Sequence, residues 1–235
     1  MERLLTRGDM PVFMLTVQHR SSPQIMDFPS RNFYQGKIVS LMDTAGTLAE
    51  AFSLAQSILT VNNLILVSTN DMPESVPINT KSYENSGECR LVIGLVQRLI
   101  ECGIPTTDIG VLAPYSGQVT LLGKMLEASW SGIVTSTVDR FQGDLTQINS
   151  LRLSIWFIGS EKEVIIISAV RSNDQGKLGF LPNPRRINVA VTRARRLLIL
   201  VCDVVTLKHN VLLKNLIDHF QQKGVELPPS SILSD

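Results

Sequence analysis

Arginines dominate the side chains of this 235-residue sequence that could bind a charged ligand. Five of them fall within twelve residues that include no acid. They are Arg185, Arg186, Arg193, Arg195 and Arg196. On a helix, Arg186, Ala190 and Arg193 would share one side of the surface. The spacing therefore fits either an anion-binding face or a solvated basic helix.

Three other segments place polar or aromatic side chains next to apolar runs. Arg20, in VQHRSSP (17–23), could reach a phosphate or form a surface ion pair. Tyr115, in APYSGQV (113–119), could stack on a nucleic-acid base or cover the edge of a sheet. Thr137 and Gln142, in TVDRFQG (137–143), offer the donors that bind sugar and phosphate. Each segment alone also fits an ordinary structural role.

No complete catalytic motif is present in the sequence. It lacks the GxxxxGK[ST] phosphate loop, the GxSxG elbow, HExxH and GxGxxG. The three histidines and three cysteines have no zinc spacing, so we expect no metal site. Cys89, Cys102 and Cys202 are predicted to be buried thiols of a reducing compartment. Without a signal peptide or a membrane-length apolar run, we expect an intracellular location, in cytoplasm or nucleus or both, and no membrane partner.

Short apolar runs alternate with segments of helical periodicity. The predicted strands cover 12–17, 64–68, 109–115, 132–138, 163–170 and 197–202. The predicted helices cover 88–102, 118–128, 188–196 and 212–224. This alternation predicts an α/β fold with a mainly parallel sheet, helices on both faces, and binding residues beyond the carboxyl ends of the strands. One domain is expected over 1–224, and a loose tail over 225–235.

Five segments, taken in order, resemble the second RecA-like motor domain of superfamily 1B helicases, in the nonsense-mediated-decay helicase group. The segments are LTVQHRSSPQIMDFPSRNFYQGKI (15–38), DIGVLAPYSGQVTLL (108–122), STVDRFQG (136–143), EKEVIIISAVRSNDQGKLGFL (161–181) and PRRINVAVTRARR (184–196). The resemblance implies a three-layer RecA-like domain. It also implies an ATP site in a cleft shared with a first RecA-like domain, which brings the phosphate loop and the magnesium-binding acids.

The resemblance further assigns roles on the nucleotide side of the domain. Arg20 and Arg193 would be arginine fingers that neutralise charge on the γ-phosphate of ATP. Glu161 would bind the ribose, and Gly143, at the end of the turn TVDRFQG, is counted with the nucleotide-binding residues. His19 stands where the family has a tyrosine that packs on the base.

On the nucleic-acid side, the resemblance implicates Tyr115, Thr137 and Arg171. These residues would face a single strand of RNA or DNA, or couple that strand to the ATP cleft.

The sequence departs from the family pattern in two ways. Residues 144–160 stand where the family has a single residue, so 144–159 is an atypical insertion. It is either an intron translated in error or a genuine external loop or helix. The chain also contains no first RecA-like domain. We therefore expect a fragment without ATPase activity of its own, and a missing first domain as its partner.

Three functions remain open from the sequence. The leading interpretation is the C-terminal motor domain of an ATP-dependent RNA or DNA helicase. The alternative is a non-catalytic module that binds nucleic acid or a partner protein. A nucleotide-binding Rossmann enzyme shares the alternating pattern, but the sequence lacks its glycine fingerprint.

Overall fold

A computed structural model describes residues 13–41, 46–78, 80–138 and 161–233. The helices are α1 (Pro23–Phe33), α2 (Leu48–Phe52), α3 (Ser86–Glu101), α4 (Ser116–Glu127), α5 (Pro184–Val191), α6 (Val204–Leu207) and α7 (Val211–Lys223). The strands are β1 (Val17–Gln18), β2 (Val39–Ser40), β3 (Leu64–Ser68), β4 (Ile109–Ala113), β5 (Val134–Thr137), β6 (Lys162–Ser168), β7 (Ala194–Cys202) and β8 (Val225–Leu227).

Six strands form one sheet in the order β5-β4-β6-β7-β3-β8, and every neighbouring pair is parallel. Strands β1 and β2 form a separate two-stranded parallel sheet. In the large sheet the carboxyl ends of all strands meet at one edge, called here the carboxyl edge. The amino ends meet at the opposite, amino edge.

The two faces of the large sheet are buried in separate apolar cores. In β3, Leu64 and Leu66 pack into one core while Ile65 and Val67 pack into the other. Such alternation follows from the two-residue period of a strand. Helices α1, α5 and α7 cover the first face, and α3 and α4 cover the second. The predicted three-layer α/β architecture with a parallel sheet is confirmed.

Two predicted elements differ from the structure. The strand expected over 12–17 is the short β1, outside the large sheet. The helix expected over 188–196 is α5, which begins earlier because Asn183 accepts hydrogen bonds from the first backbone N–H groups and Pro184 fits the first turn. It ends at Val191, and β7 begins at Ala194. The predicted single face of Arg186, Ala190 and Arg193 is therefore wrong.

The last described residues are packed rather than loose. Strand β8 pairs in parallel with β3 and is the outermost strand on that side of the large sheet. Leu227 and Ile232 are buried in the core beneath α3. Sequence composition suggested a loose tail because prolines and serines follow Leu227, whereas two apolar side chains anchor the segment.

Some predictions fall outside the described residues, namely Gly143 and the segment 144–159. Among the predicted buried thiols, Cys89 and Cys202 are buried and Cys102 is half-buried. Within the described ranges, no helix is long and apolar enough to cross a membrane.

Candidate functional site

Three predicted site residues meet at the amino edge, and we call them the amino-edge cluster: Arg20, Glu161 and Arg193. The Nε atom of Arg20 lies 2.8 Å from Oε1 of Glu161. Arg193 is close enough for both charges to act on it. Glu161 immediately precedes β6 and Arg193 immediately precedes β7, so these parallel strands bring the two residues to one edge. Arg20 joins them there, although its position after a strand had suggested the carboxyl edge.

The environment of Arg193 disfavours its positive charge. Burial lowers the pKa of the Arg193 guanidinium, and the positive charge of Arg20 lowers it further, while Glu161 opposes both effects. Two cations held side by side gain from an added anion, because it relieves their repulsion. With Glu161 as its one acid, the cluster carries more positive than negative charge.

Backbone hydrogen bonds hold this cluster to the sheet. The amide of Lys162 donates to the carbonyl of Arg193 at 3.1 Å, and the amide of Ser22 donates to the carbonyl of Arg195 at 2.8 Å. The side-chain oxygen Oε1 of Gln18 also accepts a hydrogen bond from the backbone amide of Arg20 at 2.7 Å. His19, beside Arg20, is exposed, so its ring is accessible to a ligand.

At the carboxyl edge, Arg171 is the centre of a second group, called here the carboxyl-edge network: Glu74, Tyr83, Tyr115 and Arg171. The Nε of Arg171 donates to Oε2 of Glu74 at 2.8 Å, and its Nη1 donates to the Tyr115 hydroxyl at 3.2 Å. Its guanidinium carbon lies 4.0 Å from the centroid of the Tyr83 ring. Arg171 and Tyr115 are each only 3% exposed. In this structure they support the edge from within rather than forming its outer surface.

The backbone before Arg171 adopts a costly conformation. Val170 has a φ of 72°, which a β-branched residue rarely adopts. Helix α3 holds it there: the Val170 amide donates to Oε2 of Glu88 at 2.9 Å, and its carbonyl accepts from Nδ2 of Asn85 at 3.2 Å. Strained residues of this kind concentrate at functional sites. The turn at Val170 directs Arg171 toward Tyr115.

Thr137, the last residue of β5, also lies at the carboxyl edge. It is half-buried and pairs with Ala113, two residues before Tyr115. The structure thus divides the predicted site residues that it describes into two groups at opposite edges of one sheet. Among the described residues, no group of three or more histidine, cysteine, aspartate and glutamate side chains is arranged to hold a metal ion.

Sequence reasoning missed the acids that hold these groups in place. Glu88 is fully buried on the apolar side of α3, beside Leu91 and Val92. Glu163 is buried within the apolar run of β6. The sequence did contain a signal for Glu88 and Glu163, since each acid stands where the periodicity of its helix or strand predicts an apolar residue. Glu74 lies in an irregular segment that gives no such signal.

The AAA_12 family model, an AAA domain, matches residues 1–148 and 156–205. The unmatched stretch, 149–155, falls inside the segment 144–159. The DNA-binding protein SMUBP-2 of Mesocricetus auratus is 37% identical over 228 residues, covering 95% of this chain and 21% of that protein.

Two further relatives are similar over the same extent of the chain. Regulator of nonsense transcripts 1 of Dictyostelium discoideum is 32% identical over 95% of this chain and 16% of its own length. The ATP-dependent helicase NAM7 of Saccharomyces cerevisiae is 30% identical over 95% of this chain and 22% of its own length. The chain therefore spans about a fifth of the length of these relatives. It belongs to the AAA domain family, within the superfamily 1B helicases of the nonsense-mediated-decay group.

Proposed function

We propose that this chain is the C-terminal motor domain of an ATP-dependent helicase that acts on RNA or DNA. The observation that supports this most directly is the amino-edge cluster, where Arg20 and Arg193 stand next to Glu161. Two arginines from different segments lie within electrostatic reach of each other at the amino edge, as stabilisation of a polyphosphate requires.

In this proposal the ion pair of Arg20 is exchanged when a nucleotide binds. The Arg20 side chain is 47% exposed, and exposed ion pairs contribute only about 0–1 kcal/mol. A guanidinium bound to a phosphate makes stronger, often bidentate, hydrogen bonds. Arg20 would therefore leave Glu161 for the phosphate, and the released carboxylate could accept a hydrogen bond from a ribose hydroxyl.

The remaining assignments complete the ATP side. His19 would pack against the base, and Gly143 would also contribute to nucleotide binding. The magnesium-binding acids and the phosphate loop would come from another RecA-like domain, so ATP hydrolysis requires that partner. When ATP with Mg is bound there, Arg20 and Arg193 would supply the positive charge that phosphoryl transfer needs.

At the carboxyl edge, Thr137 would contact single-stranded RNA or DNA. Tyr115 and Arg171 would hold the edge in shape for that contact, because both side chains are buried. A salt-dependent affinity for a single-stranded oligonucleotide is expected from such contacts. Oligonucleotide binding without any polyphosphate binding would instead favour the alternative, a non-catalytic nucleic-acid-binding module.

Binding of inorganic tripolyphosphate, measured by isothermal titration calorimetry on the full chain, tests the amino-edge assignment. Replacing Arg20 or Arg193 with alanine should weaken binding about 10- to 100-fold, because a hydrogen bond to a charged group contributes about 1.5–3 kcal/mol. Arg31→Ala is the matched control, since Arg31 also forms an ion pair, 2.8 Å from Asp27, on helix α1. Equal losses in all three variants would show that only net charge matters and would reject the site.

A further inference from the structure

Strand β7 carries a bulge at the amino edge. Glu163 of β6 lies opposite two residues of β7, Arg195 and Arg196, so the register of the two strands shifts at this point. Bulges are rare between parallel strands, and they are concentrated near functional sites, where they redirect side chains.

Glu163 binds both arginines of the bulge. Its Oε1 lies 3.1 Å from Nη1 of Arg195, and its Oε2 accepts a hydrogen bond from Nη1 of Arg196. Successive side chains of a regular strand point to opposite faces, so one carboxylate can hold both arginines only because the strand is bulged. Glu163 and Arg196 are 9% and 8% exposed. The interaction is thus largely shielded from water, and the loss of either partner would leave a buried charge.

This bulge is connected to every member of the amino-edge cluster. Arg193 lies two residues before Arg195, and Glu161 lies two residues before Glu163. The carbonyl of Arg195 accepts the amide of Ser22, which lies two residues after Arg20. Glu163 is therefore linked to Glu161 along its own strand, to Arg193 through its ion pair with Arg195, and to the segment of Arg20 through the hydrogen bond between Ser22 and Arg195.

We propose that Glu163 is the positioning residue of the amino-edge cluster. By holding both arginines of the bulge, it fixes the backbone from which Arg20, Glu161 and Arg193 extend. Glu163 itself contacts no ligand. This inference rests on the proposed function, because it assigns Glu163 to the polyphosphate site described above.

Charge and position predict opposite effects of neutralising Glu163. Removing a negative charge near an anion site strengthens anion binding through electrostatics alone. Loss of the positioning contact weakens binding, and we expect about tenfold weaker affinity of Glu163→Gln for tripolyphosphate, measured by calorimetry. The control Asp108→Asn neutralises an acid whose charge acts on Lys162, outside the bulge, and should leave the affinity unchanged or higher.

Unchanged or tighter binding by Glu163→Gln would overturn the positioning role. Unchanged binding by Arg20→Ala and Arg193→Ala would instead overturn the proposed function, so the two failures are distinguishable.

Amide hydrogen exchange gives a second readout that needs no ligand. In Glu163→Gln, the amides of Ser22 and Lys162 should exchange about tenfold faster, because their acceptors are the carbonyls of Arg195, in the bulge, and of Arg193, two residues before it. The amide of Ile166, in the middle of β6, serves as the internal reference. If Glu163→Gln does not fold, Glu163→Asp retains the charge but shortens the reach, and the same local increase is expected. Exchange that is unchanged at both amides, or faster throughout the sheet, would reject the proposal.

Discussion

Replacing Glu88 with glutamine should abolish a pH dependence of stability that this buried acid creates. Burial raises the pKa of Glu88 to about 8, against the opposing effect of hydrogen bonds from Ser168 and Val170. The folded protein therefore favours the neutral acid, whereas the unfolded chain releases the proton at a much lower pH. The stabilisation is fully present below pH 4.5 and declines until the pH passes about 8.

The size of the effect follows from proton linkage. Between these two pKa values, the free energy of unfolding should fall by up to about 1.4 kcal/mol per pH unit. From about pH 5.5 to about pH 7.5, the contribution of Glu88 should therefore decline by about 2.5 kcal/mol. A glutamine has the shape of the neutral acid and cannot ionise, so Glu88→Gln should lack this decline.

Urea unfolding, followed by circular dichroism at several pH values in this range, measures the effect. The quantity of interest is the free energy of unfolding of Glu88→Gln minus that of the wild type, because other titrating groups cancel in the difference. Glu101→Gln is a matched control, since Glu101 lies on the same helix but is exposed. A difference that stays constant with pH would refute a neutral, buried Glu88.

Two further predictions concern packing. Gly179→Ala should lower the free energy of unfolding by about 2 kcal/mol in a thermal unfolding assay, because Gly179 has a φ of 58° and an added Cβ would lie 2.8 Å from the Tyr115 hydroxyl. The control Gly123→Ala, where the nearest atom to an added Cβ is 3.5 Å away, should be neutral or stabilising in the same assay. Removing residues 224–235 should destabilise the protein by about 4 kcal/mol, because Leu227 and Ile232 are buried; an unchanged urea midpoint would show that the tail is loose after all.

Much of the sheet could be predicted from sequence because its strands are buried on both faces. The strand at 64–68 was predicted with the observed bounds, since a continuous run of β-branched and leucine side chains has no helical alternative of that length. The segment 184–202 was harder. The arginines up to Arg196 resemble those of an amphipathic helix, whereas Arg195 and Arg196 belong to β7 and contact Glu163 of the neighbouring strand.

The grouping of the site residues depended on topology, which local sequence does not contain. Arg20 follows a strand, and that position suggested the carboxyl edge. Strand β1 lies outside the large sheet, however, so the rule that binding residues lie beyond the carboxyl ends of its strands did not apply to Arg20. A contact between residues 141 positions apart in the chain, Arg20 and Glu161, becomes visible only in the folded structure.

Strand β6 has a mechanical consequence for any coupling between the two groups of residues. Its seven residues extend over about 20 Å, with the amino-edge cluster at one end and Arg171 beyond the other. It is paired on both sides and packed on both faces, and such close-packed interiors are nearly incompressible. A load applied at one end therefore cannot be absorbed by bending the strand. The domain would instead transmit the load by rotating as a rigid body relative to the molecule that it binds.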